Sequence, residues 1–366
     1  MNSFLKRMNK IILVALLILT SVGVPNAQPG YFSIKKIRKN RSLSFPILSG
    51  TGNLRSQTKI NQFLQLSELR SLADKGFKHV FDAAVVNDGS IYGRKVSLSY
   101  RIHANSPRIF SVSIDNSMDG ATTHWWTSYY NFNSQNGDRI DLKDLFTDDG
   151  YKRFVKNVTS VRIRKYRSQV MKKVNTEDRE AFLGVIGSIT ADGLTDFAID
   201  SRSILIDGDN LLTKGMKFNG IDMETRVSIA TFAGCLNEFG KKVFGLKRGN
   251  VADYRSDSLP QLFSGTVGGT SPFIGVMFYD GLGGTQGIYA YLKYRTGIYL
   301  TGTIDDQEIK LTEHVLTETP LNIQTDSNHR YEDGGTISGT FDRNKLDGTW
   351  TDKAKSRTLT FVAKRE

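Results

Sequence analysis

Val96-Ser-Leu-Ser-Tyr-Arg-Ile-His-Ala-Asn-Ser-Pro-Arg-Ile-Phe-Ser-Val-Ser-Ile114 is the most informative run in the chain. Val96, Leu98, Tyr100 and Ile102 alternate with polar residues, and so do Phe110, Val112 and Ile114. Residues two apart on a strand share a face, so each half has one apolar side. Asn105-Ser106-Pro107 supplies the turn, and the pair reads as a hairpin with one face buried. Downstream, a third strand carries Trp126, Tyr130 and Phe132 and ends at the turn pair Asn136-Gly137. Phe197 and Ile199 with Ile204 and Ile206 predict another hairpin, and Val227 and Ile229 a closing strand. Helices are predicted over Ile60–Leu72, Tyr151–Val174 and Phe232–Phe244. In the last, Phe232, Leu236, Phe239 and Val243 form one apolar stripe. Strands in runs, with helices set apart, argue an α+β domain with an antiparallel sheet.

Composition changes near residue 255. The last 108 residues hold 14 of the 34 glycines and show no helical period. Short β-rich runs (Phe273–Tyr279, Gly287–Lys293, Gly297–Ile304, Glu308–Thr312, Thr336–Phe341, Gly348–Thr351, Arg357–Ala363) alternate with Gly- and Asp-rich turns. Gly281 to Gly287 misses dinucleotide-loop spacing and reads as such a turn. About eight strands at this spacing predict an all-β antiparallel barrel-like or sandwich domain, an arrangement that removes exposed edges. The expected organisation is a signal peptide at 1–27, a basic α+β domain at 28–250, a linker at 251–262 and the β meander at 263–366.

The 366 residues, 39% hydrophobic, suffice for packed cores and argue against general disorder. Lys6, Arg7 and Lys10 precede an apolar run from Ile11 to Val24, with Ala27 as a small residue for cleavage. That run has signal-peptide proportions and is short for a membrane span. The expected address is therefore periplasmic or secreted, in a bacterium, with an uncleaved N-terminal anchor as the alternative. The net charge of +12 is unevenly shared: residues 28–258 carry +11 and residues 259–366 carry −2. A basic exported domain favours anionic partners, among which nucleic acid is least expected, and opposes docking of a basic protein. The single cysteine, Cys235, excludes a disulfide framework and a Cys-based zinc site, and reads as a buried inert thiol.

Motifs for catalysis are sparse. His79, His103, His124, His314 and His329 are scattered with no metal-ligand spacing, and no cofactor motif is found. Ser33-Ile-Lys-Lys36 matches Ser-x-x-Lys, but no Lys-Thr-Gly follows it. Two features stand out. Tyr151 to Thr176 contains nine Lys/Arg and no acid, with Arg162, Arg164, Lys165 and Arg167 at its centre. Phe154, Val158, Val161 and Val170 form its expected buried stripe, with the charges outward. His124, Trp125, Trp126, Tyr129 and Tyr130 form the second candidate, aromatics suited to stacking on a glycan or to a protein interface. Alternation puts Trp126 and Tyr130 on one face and Trp125 and Tyr129 on the other.

These segments also carry a resemblance. Ser44-Phe-Pro-Ile-Leu-Ser-Gly50, Ile60-Asn61, Ser111-Val-Ser-Ile114, Gly120-Ala121 before His124, Asn131-Phe132, Asn136-Gly-Asp-Arg-Ile-Asp-Leu-Lys-Asp-Leu-Phe146 and Phe197-Ala-Ile199 with Ile204-Leu-Ile206 follow one another in order. Over roughly residues 40–232 the chain resembles the paired extracytoplasmic domains of unknown function of lysozyme-sensing anti-sigma factors. The same pair stands at the N-terminus of some peptidoglycan deacetylases. Thr122-Thr123 separates Ala121 from His124, a departure from the family's contiguous Gly-Ala-His. The C-terminal part resembles a small exported all-β domain through Gly265-Thr-Val267, Tyr289-Ala-Tyr291, Ile298-Tyr-Leu-Thr-Gly302, Ile309-Lys-Leu-Thr-Glu313 and Gly348-Thr-Trp350. Glu313 and Trp350 are read there as edge and core residues. The resemblance implies a non-enzymatic envelope sensor or binding protein that recognises a glycan, a polyanion or a protein. The alternative is a cell-wall hydrolase using His124 with Asp115, Asp119 or Asp141.

Overall fold

The computed structural model describes residues 30–50, 52–74, 76–85, 94–119, 123–189, 194–279, 284–316 and 331–366. The expected leader at 1–27, Gly120 to Thr122, Gly281 to Gly283 of the expected turn, and His329 lie outside the described residues. The N-terminal part is α+β, as expected, and the C-terminal part is a closed eight-stranded antiparallel barrel, the first of the two arrangements expected there.

The body starts with a hairpin, β1 (Ser33–Arg38) on β2 (Ser44–Ser49). A helix, Leu54–Leu64, follows, capped by the Asn53 side chain, which accepts from the Arg55 and Ser56 N–H groups. This helix does not run on to Leu72. It widens into a π turn at Gln65–Leu69 and stops at Arg70, whose φ is 56°. The decisive hairpin forms as expected: β3 (Arg94–Asn105) pairs with β4 (Ile109–Asp119), and β4 with β5 (His124–Asn133). Ile60, Phe63, Leu64 and Leu69 pack on Leu98, Val112, Ile114 and Phe132 of that sheet.

A second core lies beside it. The sheet β6 (Phe197–Ile199), β7 (Ser203–Ile206) and β8 (Thr225–Ser228) packs with the helix Asp148–Lys173 through Phe154, Val158, Ile199, Ile204 and Phe232. Asn131 joins the two sheets from inside, donating to Phe197 O at 2.8 Å and accepting from Ser111 Oγ at 2.7 Å and Ile199 N at 3.0 Å. Phe232, Leu236, Phe239 and Val243 are all buried, but not on one helix. Short turns at Ile229–Phe232 and Ala233–Cys235 precede a helix Glu238–Val243, which Asn237 caps by accepting from Gly240 N. The apolar spacing fits both arrangements, and the Asn237 cap selects the broken one.

The barrel runs through β9 (Gln261–Val267), β10 (Ser271–Tyr279), β11 (Thr285–Tyr291), β12 (Ile298–Asp305), β13 (Glu308–Leu316), β14 (Tyr331–Phe341), β15 (Lys345–Thr351) and β16 (Thr358–Arg365). Each strand pairs antiparallel with the next, and β16 returns to β9 with Phe361 opposite Val267, so no edge is left free. Phe263, Phe273, Leu311, Ile337 and Phe361 fill its interior. Glycine density has a local cause: a Cβ on Gly302 would stand 1.9 Å from Lys310 O on the adjoining strand.

Body and barrel share one core. Leu262, Ile274, Val276, Ile288 and Ala290, on the outside of β9 to β11, belong to the same apolar cluster as Ile60 to Leu72. Ser71 bridges Thr296, with Leu72 N donating to Arg295 O at 2.7 Å and Gly297 N to Arg70 O at 2.8 Å. The expected linker is pinned to the body: Asn136 donates to Ala252 O and Tyr254 O, and Tyr254 stacks on Phe239 at 3.7 Å. Asp138, 2% exposed, lies between Lys59 of the helix and Arg365 of β16.

Candidate binding cleft

The site begins with the register of β5. Trp126 lies opposite Asn116, Ser128 opposite Ile114 and Tyr130 opposite Val112, so all three share the face that meets the Leu54–Leu69 helix. There the π turn presents Glu68, which is 3% exposed. Tyr130 donates its phenol proton to Glu68 Oε1 at 2.6 Å. Lys95 of β3 donates to Glu68 O at 2.8 Å and to Oε2 at 3.2 Å. The Lys95 Nζ also lies 5.8 Å from the centroid of the Trp126 ring.

Burial dominates the electrostatics of this group. Desolvation holds the Lys95 amine below its ordinary pKa although Glu68 opposes the shift. The Tyr130 phenol is pushed well above its ordinary value, by burial first and then by the Glu68 carboxylate. A buried cation satisfied by one carboxylate and one carbonyl stays where the fold puts it.

The other wall comes from the barrel. Tyr299 of β12 receives the Arg70 guanidinium over its ring at 5.1 Å, and Arg70 Nη1 is 3.4 Å from the Tyr331 hydroxyl. Between the walls lies a cleft of about 700 Å³, lined by His124, Trp125, Trp126, Tyr130 and Tyr299 and by Ser67, Glu68, Arg70 and Lys95. It falls within the size range of small-molecule sites. Trp125, 47% exposed, stands at its rim. Aromatic faces flanking a few fixed polar groups suit a ring-shaped polar ligand.

Of the sequence candidates, His124, Trp125, Trp126 and Tyr130 are thus brought together. Tyr129 points to the opposite face, where it donates to Asp207 Oδ2 at 3.0 Å; burial first, then Asp207, raise its phenol pKa. The basic helix is arranged differently from expectation. Its buried row is Phe154, Val158, Arg162, Tyr166 and Val170, one residue every four, while Val161 is 42% exposed. Arg162, 2% exposed, turns inward and donates to Asp207 O at 3.2 Å. Tyr129 and Arg162 therefore meet at Asp207, away from the cleft. Lys165 is paired with Asp222 at 2.6 Å, and Arg164 and Arg167 face solvent.

The acids considered with His124 do not share its face. Asp115 lies opposite Thr127 on the other side of the sheet, accepting from Thr127 Oγ1 at 3.0 Å. Asp119 is likewise an odd-numbered position of β4, and Asp141 caps the 3-10 turn Leu142–Leu145. Among the described residues no group of three or more His, Cys, Asp or Glu is placed to hold a metal ion, and no helix is long and apolar enough to cross a membrane. Sequence reasoning missed Glu68, Arg70, Lys95 and Tyr299. One signal was available: Glu68 is an acid close to Leu64, Leu66 and Leu69 in sequence.

Fold and cleft together define a two-part protein, an α+β body and a closed barrel with a ligand-sized opening at their seam. The sequence matches no protein-family model and no curated protein. Among solved structures it is similar to the crystal structure of a member of the DUF3298 family from Bacteroides fragilis NCTC 9343, with 14% identity and a TM-score of 0.43. The match covers 60% of this chain and 98% of that one. No residue role follows from a likeness of that size.

Proposed function

We propose that this is an exported cell-envelope binding protein that holds a stretch of envelope glycan in the cleft between body and barrel. The observation that carries the reading is the convergence of Trp125, Trp126, Tyr130 and Tyr299 around fixed polar groups in one cleft of about 700 Å³. Sugar rings stack on aromatic faces through their C–H surfaces, while their hydroxyls need polar partners such as Ser67, Arg70 and His124. The leader pattern of residues 1–27 supports an address outside the cytoplasm, periplasmic or secreted.

The test is retention on purified peptidoglycan against a basic protein of matched charge. Trp126→Ala is expected to weaken retention about tenfold, the loss of roughly 1.4 kcal/mol of stacking. Retention equal to the control, or unchanged by Trp126→Ala, overturns the reading.

A further inference from the structure

The barrel has a mouth of its own, which shares no lining residue with the cleft. It lies at the end where the β9–β10, β11–β12 and β15–β16 turns meet, and encloses about 380 Å³. Tyr291, Tyr294 and Trp350 form its aromatic walls, Lys293 and Arg357 stand on its rim, and Thr270 adds a hydroxyl. Lys293 Nζ lies 5.1 Å over the Tyr294 ring.

Beneath those walls the barrel interior contains a charged group. Glu313 is 4% exposed, on the inward face of β13 with Ile309 and Leu311. Trp350 Nε1 donates to its Oε1 at 2.8 Å, Gly335 N to its Oε2 at 2.9 Å, and the Tyr289 hydroxyl to Oε1. The Tyr289 and Tyr291 hydroxyl oxygens are 3.4 Å apart. A Cβ on Gly335 would stand 2.3 Å from Trp350 Nε1, so the indole needs glycine at that point. A barrel this size is filled most simply by apolar side chains, and a buried carboxylate costs desolvation. Here three donors turned toward Glu313 fix the aromatic walls above it. Among the described residues that line the mouth, the charged ones, Lys293 and Arg357, are both positive.

We infer that the barrel mouth is a second binding site, for a small ring-bearing carboxylate whose ring lies between Tyr291, Tyr294 and Trp350 and whose acid group meets Lys293 and Arg357. Glu313 is a positioning residue that preorganises the walls. The volume is near the lower end of ligand sites and fits one ring with its acid group. An acidic sugar and an aryl acid both have this chemistry.

The test uses the full chain carrying Trp125→Phe and Trp126→Phe, which leaves Trp350 as the remaining indole of the three. The indole N–H resonance of Trp350 is followed during titration with glucuronate, N-acetylmuramate or benzoate, with N-acetylglucosamine and acetate as ring-only and charge-only controls. A saturable shift with a ring carboxylate, and none with either control, is expected at a Kd of about 1 mM. Response to the sugars alone assigns an acidic sugar; response to benzoate alone assigns an aryl acid. Arg357→Gln is expected to weaken binding about tenfold. Glu313→Gln is expected to move the indole resonance before any ligand is added and to weaken binding. If Glu313→Gln does not fold, the rim variants Lys293→Gln and Arg357→Gln carry the test. No saturation by any ring carboxylate at about 10 mM, or equal binding after both rim substitutions, overturns the inference. Neither result depends on the cleft.

Discussion

Replacing Asp138 by Asn keeps the shape of a buried side chain and removes one charge. In the native protein Asp138 Oδ2 accepts from Arg365 Nη2 at 3.1 Å and Oδ1 from Lys59. The three side chains are 2%, 3% and 6% exposed, so water does not substitute for the lost carboxylate. Removing one partner of a buried pair typically costs about 3–5 kcal/mol. Both cations keep main-chain oxygen partners, Ser256 O for Arg365 and Glu366 O for Lys59, which places the expected cost near the lower value, about 3 kcal/mol. At about 2 °C per kcal/mol for a chain of this size, the melting temperature falls by about 6 °C. Because Lys59 belongs to the body and Arg365 to the barrel, and both flank one shared core, the transition shifts as a whole. Far-ultraviolet circular dichroism during thermal unfolding follows both parts, and Trp350 fluorescence in the Trp125→Phe, Trp126→Phe background follows the barrel alone. A shift under about 1 °C, or a barrel that melts apart from the body, refutes the reasoning.

Stability below neutral pH carries the signature of His103. Burial, aided by Arg101 and Arg226, pulls its pKa from 6.5 to about 4, and it is held 2.9 Å from Ser113 Oγ. The unfolded chain takes up that proton first, so the contribution is complete above pH 6.5, is lost as pH falls toward 4, and is flat below. His103 is partly exposed, so solvent screening reduces the effect to about 1 kcal/mol; His103→Gln should flatten that part of a urea-stability profile against pH, and an unchanged slope counts against the assignment. Arg162→Ala should cost about 2–4 kcal/mol in urea unfolding, while Arg164→Ala stays within about 0.5 kcal/mol. Equal effects would mean that the inward turn of Arg162 is wrong.

Strands that bury one face were legible because period-two alternation records that directly, as along Glu308–Leu316. Strand number and turn spacing pointed to a barrel-like or sandwich domain, and the return of β16 to β9 makes it a closed barrel. The helices were read less well, for a physical reason. Apolar spacing around Phe232–Val243 shows which residues are buried but not whether the backbone between them is continuous. On the long helix, hydrophobicity favoured Val161 for the interior, whereas the four-residue row places Arg162 there, where Asp207 O receives its guanidinium. Half of the cleft was visible because His124, Trp125, Trp126 and Tyr130 are neighbours in sequence. The rest arrives through tertiary structure, Glu68 and Arg70 from a turn and Tyr299 from the barrel, and no local pattern marks that meeting.

That meeting depends on the π turn. In a regular α-helix successive residues advance about 100°, and Glu68 would follow the row of Leu64 into the apolar core. The wider turn at Gln65–Leu69 changes that phase and ends at Arg70 in the left-handed region, which brings the following segment against the barrel at Ser71–Thr296. One irregularity thus presents Glu68 to Lys95 and Tyr130, places Arg70 over Tyr299, and docks the barrel that supplies Tyr299. A π turn inside an α-helix is rare and is frequent at functional sites. Its position here, under the aromatic cluster and at the seam, makes the cleft a property of the joined protein: neither body nor barrel alone contains both of its walls.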